Sequence, residues 1–110
     1  ALPEDISAEY YASLCAESGT AYRQMIFWFA DPKKSSRVKY SKVKAPVLVL
    51  GGSEDKCTPP GMCRGTAKNY GKDGKYVELE GSDHMMTVGP YLPRTLEEID
   101  AWLNEISGEN

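Results

Sequence analysis

Residues 45–80 constrain the fold more than any other part of this chain. "PVLVL" (46–50) is an unbroken run of valine and leucine with no polar alternation. Such a run predicts a strand covered on both faces, as in a parallel sheet. "GGSEDKC" (51–57) stops the run and presents Glu54 and Asp55. Thr58 then predicts a helix cap, with Pro59 at the first helical position, where a missing N–H costs nothing. This helix is expected to reach about Tyr70, weakened by Gly61 and Gly65, before "GKDG" (71–74) turns the chain into a second strand, "KYVELE" (75–80). Strand, helix, strand in this order implies a right-handed crossover between parallel strands, hence an α/β fold.

Parallel strands release their following loops at the same sheet edge, where open α/β sheets bind ligands. One loop carries Asp55; the other carries His84, the single histidine of the chain. Neighbouring strands lie ~4.8 Å apart, or about twice that with one strand between, so the two side chains are within reach of one another. A carboxylate bonded to one imidazole nitrogen fixes the tautomer and leaves the other nitrogen as a base. Against this stand plainer roles: Asp55 accepting N–H groups of its own loop, and His84 as an ordinary polar loop residue. Glu54 and Asp83 read as solvated charges.

The flanks read as helices. Ser7 is a cap candidate for a helix with Tyr11, Leu14 and Cys15 at helical spacing, and Gly19 breaks the run. Thr20 is the next cap candidate, and Tyr22, Met25, Ile26 and Phe29 form an apolar stripe with Phe27 and Trp28 on other faces. Asp31-Pro32 ends that helix, and the basic stretch that follows reads as a solvated connector. At the far end, Thr95 and Glu98 suit a capping box, and Leu96, Ile99, Leu103 and Ile106 line one face. Gly108 lies just past its end. The expected organisation is thus a helical segment 1–32, a connector 33–44 and an α/β segment 45–110.

Composition removes several functions. Acidic residues outnumber basic ones, 16 to 13, leaving no basic face for nucleic acid or acidic lipid. No apolar run approaches the ~18 residues of a membrane span. The three cysteines read as reduced thiols in a cytoplasmic setting, with a local Cys57–Cys63 disulfide as the alternative. Without CxxC spacing, and with one histidine, no metal or organic cofactor is implied. The chain opens Ala1-Leu2-Pro3 without methionine, which reads as a processed polypeptide.

Three stretches together carry a family resemblance. "APVLVLGGSEDKCTPP" is similar to the penultimate core strand of α/β-hydrolases, with its G-x-x-D turn (Gly52 to Asp55) and the Thr-Pro that opens the next helix. "YVELEGSDHMM" resembles the last core strand and histidine loop of that family, and "TLEEIDAWLNEI" its closing helix. The resemblance covers about residues 43–107 and implies the C-terminal part of an α/β-hydrolase sheet, preceded by lid-like helices. Asp55 would be the triad acid and His84 the base. Residues 1–32 resemble the end of a lid, making Trp28 and Phe29, with Met85 beside the histidine, candidate substrate contacts.

The family also needs a nucleophile elbow, and the chain contains no G-x-S-x-G. Ser18 sits in a helical region, Ser82 is too near His84 along one loop, and Cys57 follows the acid by two positions. The resemblance therefore implies a separate N-terminal chain of the same hydrolase, parted near the lid, carrying the nucleophile and oxyanion hole. The implied enzyme hydrolyses a small ester or related acyl compound. A non-catalytic, truncated hydrolase-like module that binds or dimerises is the alternative. A third reading keeps the frame but changes the chemistry to acyl transfer, lactone or amide hydrolysis, or attack by an aspartate in the missing half.

Overall fold

The computed structural model describes residues 3–35 and 37–108. The chain divides into two compact units, Ala1–Lys39 and Tyr40–Asn110.

The second unit is built on the expected βαβ element. Strand β1 (Val47–Gly52) and strand β2 (Gly74–Leu79) are direct neighbours and parallel, in register from Val47 opposite Gly74 to Gly52 opposite Leu79. Helix α3 (Pro60–Asn69) connects them and packs on both. Its last turn meets the start of β2 so closely that a Cβ on Gly74 would lie 2.2 Å from the Ala67 carbonyl oxygen. Glycine is required there because a backbone atom has nowhere to retreat. Arg64 of α3 pairs with Glu78 of β2 at 2.6 Å, Tyr76 donates to the same carboxylate oxygen at 2.7 Å, and the guanidinium stands over the Tyr76 ring. Burial, with the Glu78 carboxylate beside it, pushes the Tyr76 phenol up to about 12.

The helix begins one residue later than its sequence suggests. Pro60 disfavours helical geometry at the residue before it, so Pro59 is extended, near polyproline geometry (φ −54°, ψ 150°), and stands at the cap position. Thr58 is thereby released from capping. The strand run "VLVL" is half-buried rather than enclosed. Among the described residues each strand has a single neighbour, and α3 supplies most of its cover.

Helix α4 (Leu92–Ser107), by contrast, starts ahead of expectation, three residues before Thr95 of the capping box. Thr95 is instead buried inside the first turn, and Glu98 pairs with Arg94 at 2.6 Å. Pro93 near the helix start favours this earlier entry. Gly108 closes the helix in the left-handed conformation, φ 74°, as its position implied. Lys75 of β2 pairs with Glu105 of α4.

The Ala1–Lys39 unit holds α1 (Glu4–Ser13) and α2 (Gly19–Ile26), neither with a buried residue. Helix α1 begins at Glu4, behind Pro3, rather than at a Ser7 cap; Glu4 and Asp5 favour the positive end of the dipole. Ser18, not Thr20, caps α2 by accepting the Ala21 N–H. The apolar stripe expected to reach Phe29 is cut short, because α2 stops at Ile26 and Trp28–Ala30 form a 3₁₀ turn. Three consecutive aromatics lose side-chain freedom in a helix, and Pro32 holds Asp31 extended. Asp31 then accepts hydrogen bonds from Ser35 and, more weakly, from the Lys33 N–H, which hold its carboxyl below the usual range.

Candidate active site

The βαβ unit converges on its C-terminal strand edge. Residues enclosed in the second unit, Asp55, Leu79, Ser82, Thr95 and Ala67, include three polar ones, and most belong to the two loops at this edge or brace them. The loops are laced together by two backbone bonds, Ser53 N–H to Leu79 O (3.0 Å) and Glu54 N–H to Ser82 O (2.9 Å), and by the Gly81 N–H donating to Ser53 Oγ (2.8 Å). Gly52 lets them meet. A Cβ there would lie 2.3 Å from Ser82 O and 2.8 Å from Asp83 O, so a side chain would push the histidine loop off the strand.

Asp55 and His84 do meet. His84 Nδ1 lies 2.9 Å from Asp55 Oδ2. Because an ionised carboxylate only accepts, Nδ1 carries the proton and Nε2 of the neutral ring is left as the base. Among the described residues nothing hydrogen-bonds Nε2. The Asp55 side chain is fully enclosed (0% exposed), whereas that of His84 is 54% exposed.

Four donors surround the carboxylate. Oδ1 accepts the N–H groups of Cys57 (2.7 Å) and Thr58 (2.9 Å); Oδ2 accepts His84 and the Thr58 hydroxyl (2.7 Å). Burial alone would raise the Asp55 pKa, but the hydrogen bonds from Thr58, His84 and Cys57 outweigh it and hold the carboxyl far below the usual range. The carboxylate thus accepts from its own loop on both oxygens and from the imidazole on Oδ2. The loop groups organise the carboxylate and the histidine is presented to it.

The histidine loop is pinned from its far side. Thr95 Oγ1 lies 2.6 Å from Met86 O and 3.1 Å from Tyr91 O, so the first turn of α4 holds the segment just after His84. Asp83 Oδ1 accepts the Met85 N–H, ordering the next residue. Met85 is partly exposed beside the histidine. Trp28 and Phe29 belong to the Ala1–Lys39 unit, where both are exposed and stack edge-to-face. Trp28 also lines an open cleft of about 730 Å³ with Arg23, Gln24, Phe27, Ala30, Asp31 and Ser35.

Ser82 is 1% exposed and its hydroxyl faces Asp83 O, so it is unavailable as a nucleophile. Cys57 enters the site through its backbone N–H, while Cys63 points its sulfur at Thr58 O; both are free thiols, and the alternative of a disulfide between them is not realised. Among the described residues no three His, Cys, Asp or Glu side chains are grouped to hold a metal ion. No helix among them is long and apolar enough to cross a membrane.

Residues 13–105 match the family model described as TAP-like protein, of the α/β-hydrolase type. The chain belongs to this α/β-hydrolase family. Neither the curated proteins nor the solved structures yield a match. The parallel strands flanked by helices agree with a part of that fold. Sequence reasoning missed three supporting residues: Gly52 as the point of loop contact, Thr58 as a donor to the acid, and Thr95 as the anchor of the histidine loop. The Asp-x-x-Thr spacing is a signal for the second, since short polar side chains at that distance close hydrogen-bonded turns. The other two depend on contacts distant in sequence.

Proposed function

We propose that Asp55 and His84 are the acid and base of a hydrolase centre whose nucleophile and oxyanion hole reside in the N-terminal half of the same enzyme. The observation that carries this reading is the 2.9 Å Oδ2···Nδ1 bond, with the carboxylate enclosed and the far side of the imidazole open. In this arrangement Nε2 takes the proton from an attacking serine hydroxyl, and Asp55 stabilises the imidazolium that forms. The imidazolium then returns the proton to the leaving alkoxide, and a water repeats the sequence on the acyl-enzyme. The substrate class is a small ester or related acyl compound. In this reading Met85, exposed beside the histidine, contacts the substrate.

The test is a native mass spectrum of the active protein followed by a denaturing one, with ester turnover measured alongside. A second chain bearing G-x-S-x-G, and loss of turnover by ~10³-fold or more in H84A, is the expected result. A preparation that turns over ester equally well after H84A would overturn the proposal. A homodimer of this chain without turnover would favour the binding module instead.

A further inference from the structure

Thr58 stands out once its helix-capping role is removed. It supplies two of the four donors on Asp55: its N–H on Oδ1 and its hydroxyl on Oδ2. The hydroxyl and His84 Nδ1 converge on the same oxygen, 2.7 and 2.9 Å away, and are 3.4 Å from each other. Since both donate to Oδ2, neither is available to donate to the other.

The four donors are unequal as constraints. The terminal torsion of an aspartate is soft, so the backbone N–H pair on Oδ1 does not by itself aim Oδ2. His84 cannot aim it either, being half exposed and the group to be held. The Thr58 hydroxyl can. Its χ1 is stiffened by β-branching, and the Pro59-Pro60 pair restricts the backbone that follows. The other titratable groups of the two loops are Glu54, Lys56, Cys57, Glu80 and Asp83. Among the described residues none of them bonds the imidazole, and Asp83 is turned to the Met85 N–H.

We infer that Thr58 is a positioning residue, whose hydroxyl locks the Asp55 carboxylate in the orientation that keeps the proton of His84 on Nδ1. The inference rests on the reading of Asp55 and His84 as a working pair and adds a third group to it. Its consequence for the reaction is indirect: Thr58 keeps Nε2 unprotonated and aimed outward while touching no substrate.

The experiment is long-range ¹⁵N–¹H correlation of the neutral imidazole in the full chain, where His84 is the sole histidine. T58V retains the shape and the backbone N–H but loses the hydroxyl. The ratio of Nδ1–H to Nε2–H tautomer is expected to fall about three- to tenfold, the worth of one hydrogen bond. T58S is expected to keep the wild-type ratio. In D55N the amide can present an N–H to Nδ1 and reverse the tautomer, which provides the reference. An unchanged ratio in T58V beside a reversed one in D55N overturns the role of Thr58 and leaves the pair intact. An unchanged ratio in D55N overturns the pair itself. Should T58V lose its dispersed amide spectrum, T58A carries the same reading, and a folded T58S that loses the tautomer also overturns the inference.

Discussion

The Ala1–Lys39 unit carries six of the eleven aromatic residues, yet the two units differ most sharply in what holds them. In Ala1–Lys39 the hydrogen bonds given by the structure are local, within helices, caps and turns, and Tyr22, Met25, Phe27, Trp28 and Phe29 all remain exposed. In Tyr40–Asn110 the decisive bonds join residues far apart in sequence, such as Ser53 to Gly81, Asp55 to His84 and Met86 to Thr95. Aromatic content therefore does not make a core here. A parallel βαβ closure does, because it delivers two loops to one edge where their backbone groups satisfy each other. The most enclosed part of the molecule is also its candidate site, so stability and chemistry share residues.

That contrast is breakable by substitution. The largest loss is expected from G52V, which drives side-chain atoms into the Ser82 and Asp83 carbonyls; about 4 kcal/mol or more in denaturant unfolding is expected, of the magnitude of severe steric conflict. L79A removes an enclosed side chain and should cost about 3 kcal/mol by the same measurement. D55N leaves buried donors without acceptors and should cost about 2 kcal/mol near neutral pH. In the other unit, F29A is expected to change stability by no more than about 0.5 kcal/mol, since that side chain is 69% exposed. A cost for F29A comparable to that of L79A would erase the distinction between the units.

Acid sharpens the same comparison. The folded-state pKa of Asp55 lies below the unfolded value of about 3.9, so on acidification the unfolded chain takes up the proton first. The contribution of the ionised carboxylate is complete above about pH 4 and is lost as the pH falls toward the depressed folded value. The stability gap between wild type and D55N should therefore narrow below about pH 4 in acid titrations monitored by tryptophan fluorescence and circular dichroism. A gap that widened on acidification would contradict the ionised, four-donor carboxylate.

Much of this was legible in the residues. The unalternating "PVLVL" run and the spacing to "KYVELE" announced parallel strands, and two strand-end loops carrying Asp55 and His84 announced a meeting place. Helix starts were less legible because competing local signals had to be ranked. Pro60 overrode the cap signal of Thr58, and burial against the histidine loop drew Thr95 into the helix instead of leaving it at the end. The half-buried strands and the exposed Leu96, Leu103 and Ile106 of α4 were not legible at all, since periodicity reports which face is apolar but not how much covers it. Thr58 was visible in sequence as Asp-x-x-Thr, yet its convergence with His84 on one Asp55 oxygen emerged only from the meeting of the two loops.

The most direct measurement is the tautomer of His84 in the wild-type chain, read from the ¹⁵N shifts of the neutral imidazole. The result expected from the enclosed Asp55 carboxylate is a ring protonated on Nδ1 and bare on Nε2. A ring protonated on Nε2, or exchanging between both forms as free imidazole does, would contradict the acid–base pair on which the proposed function stands.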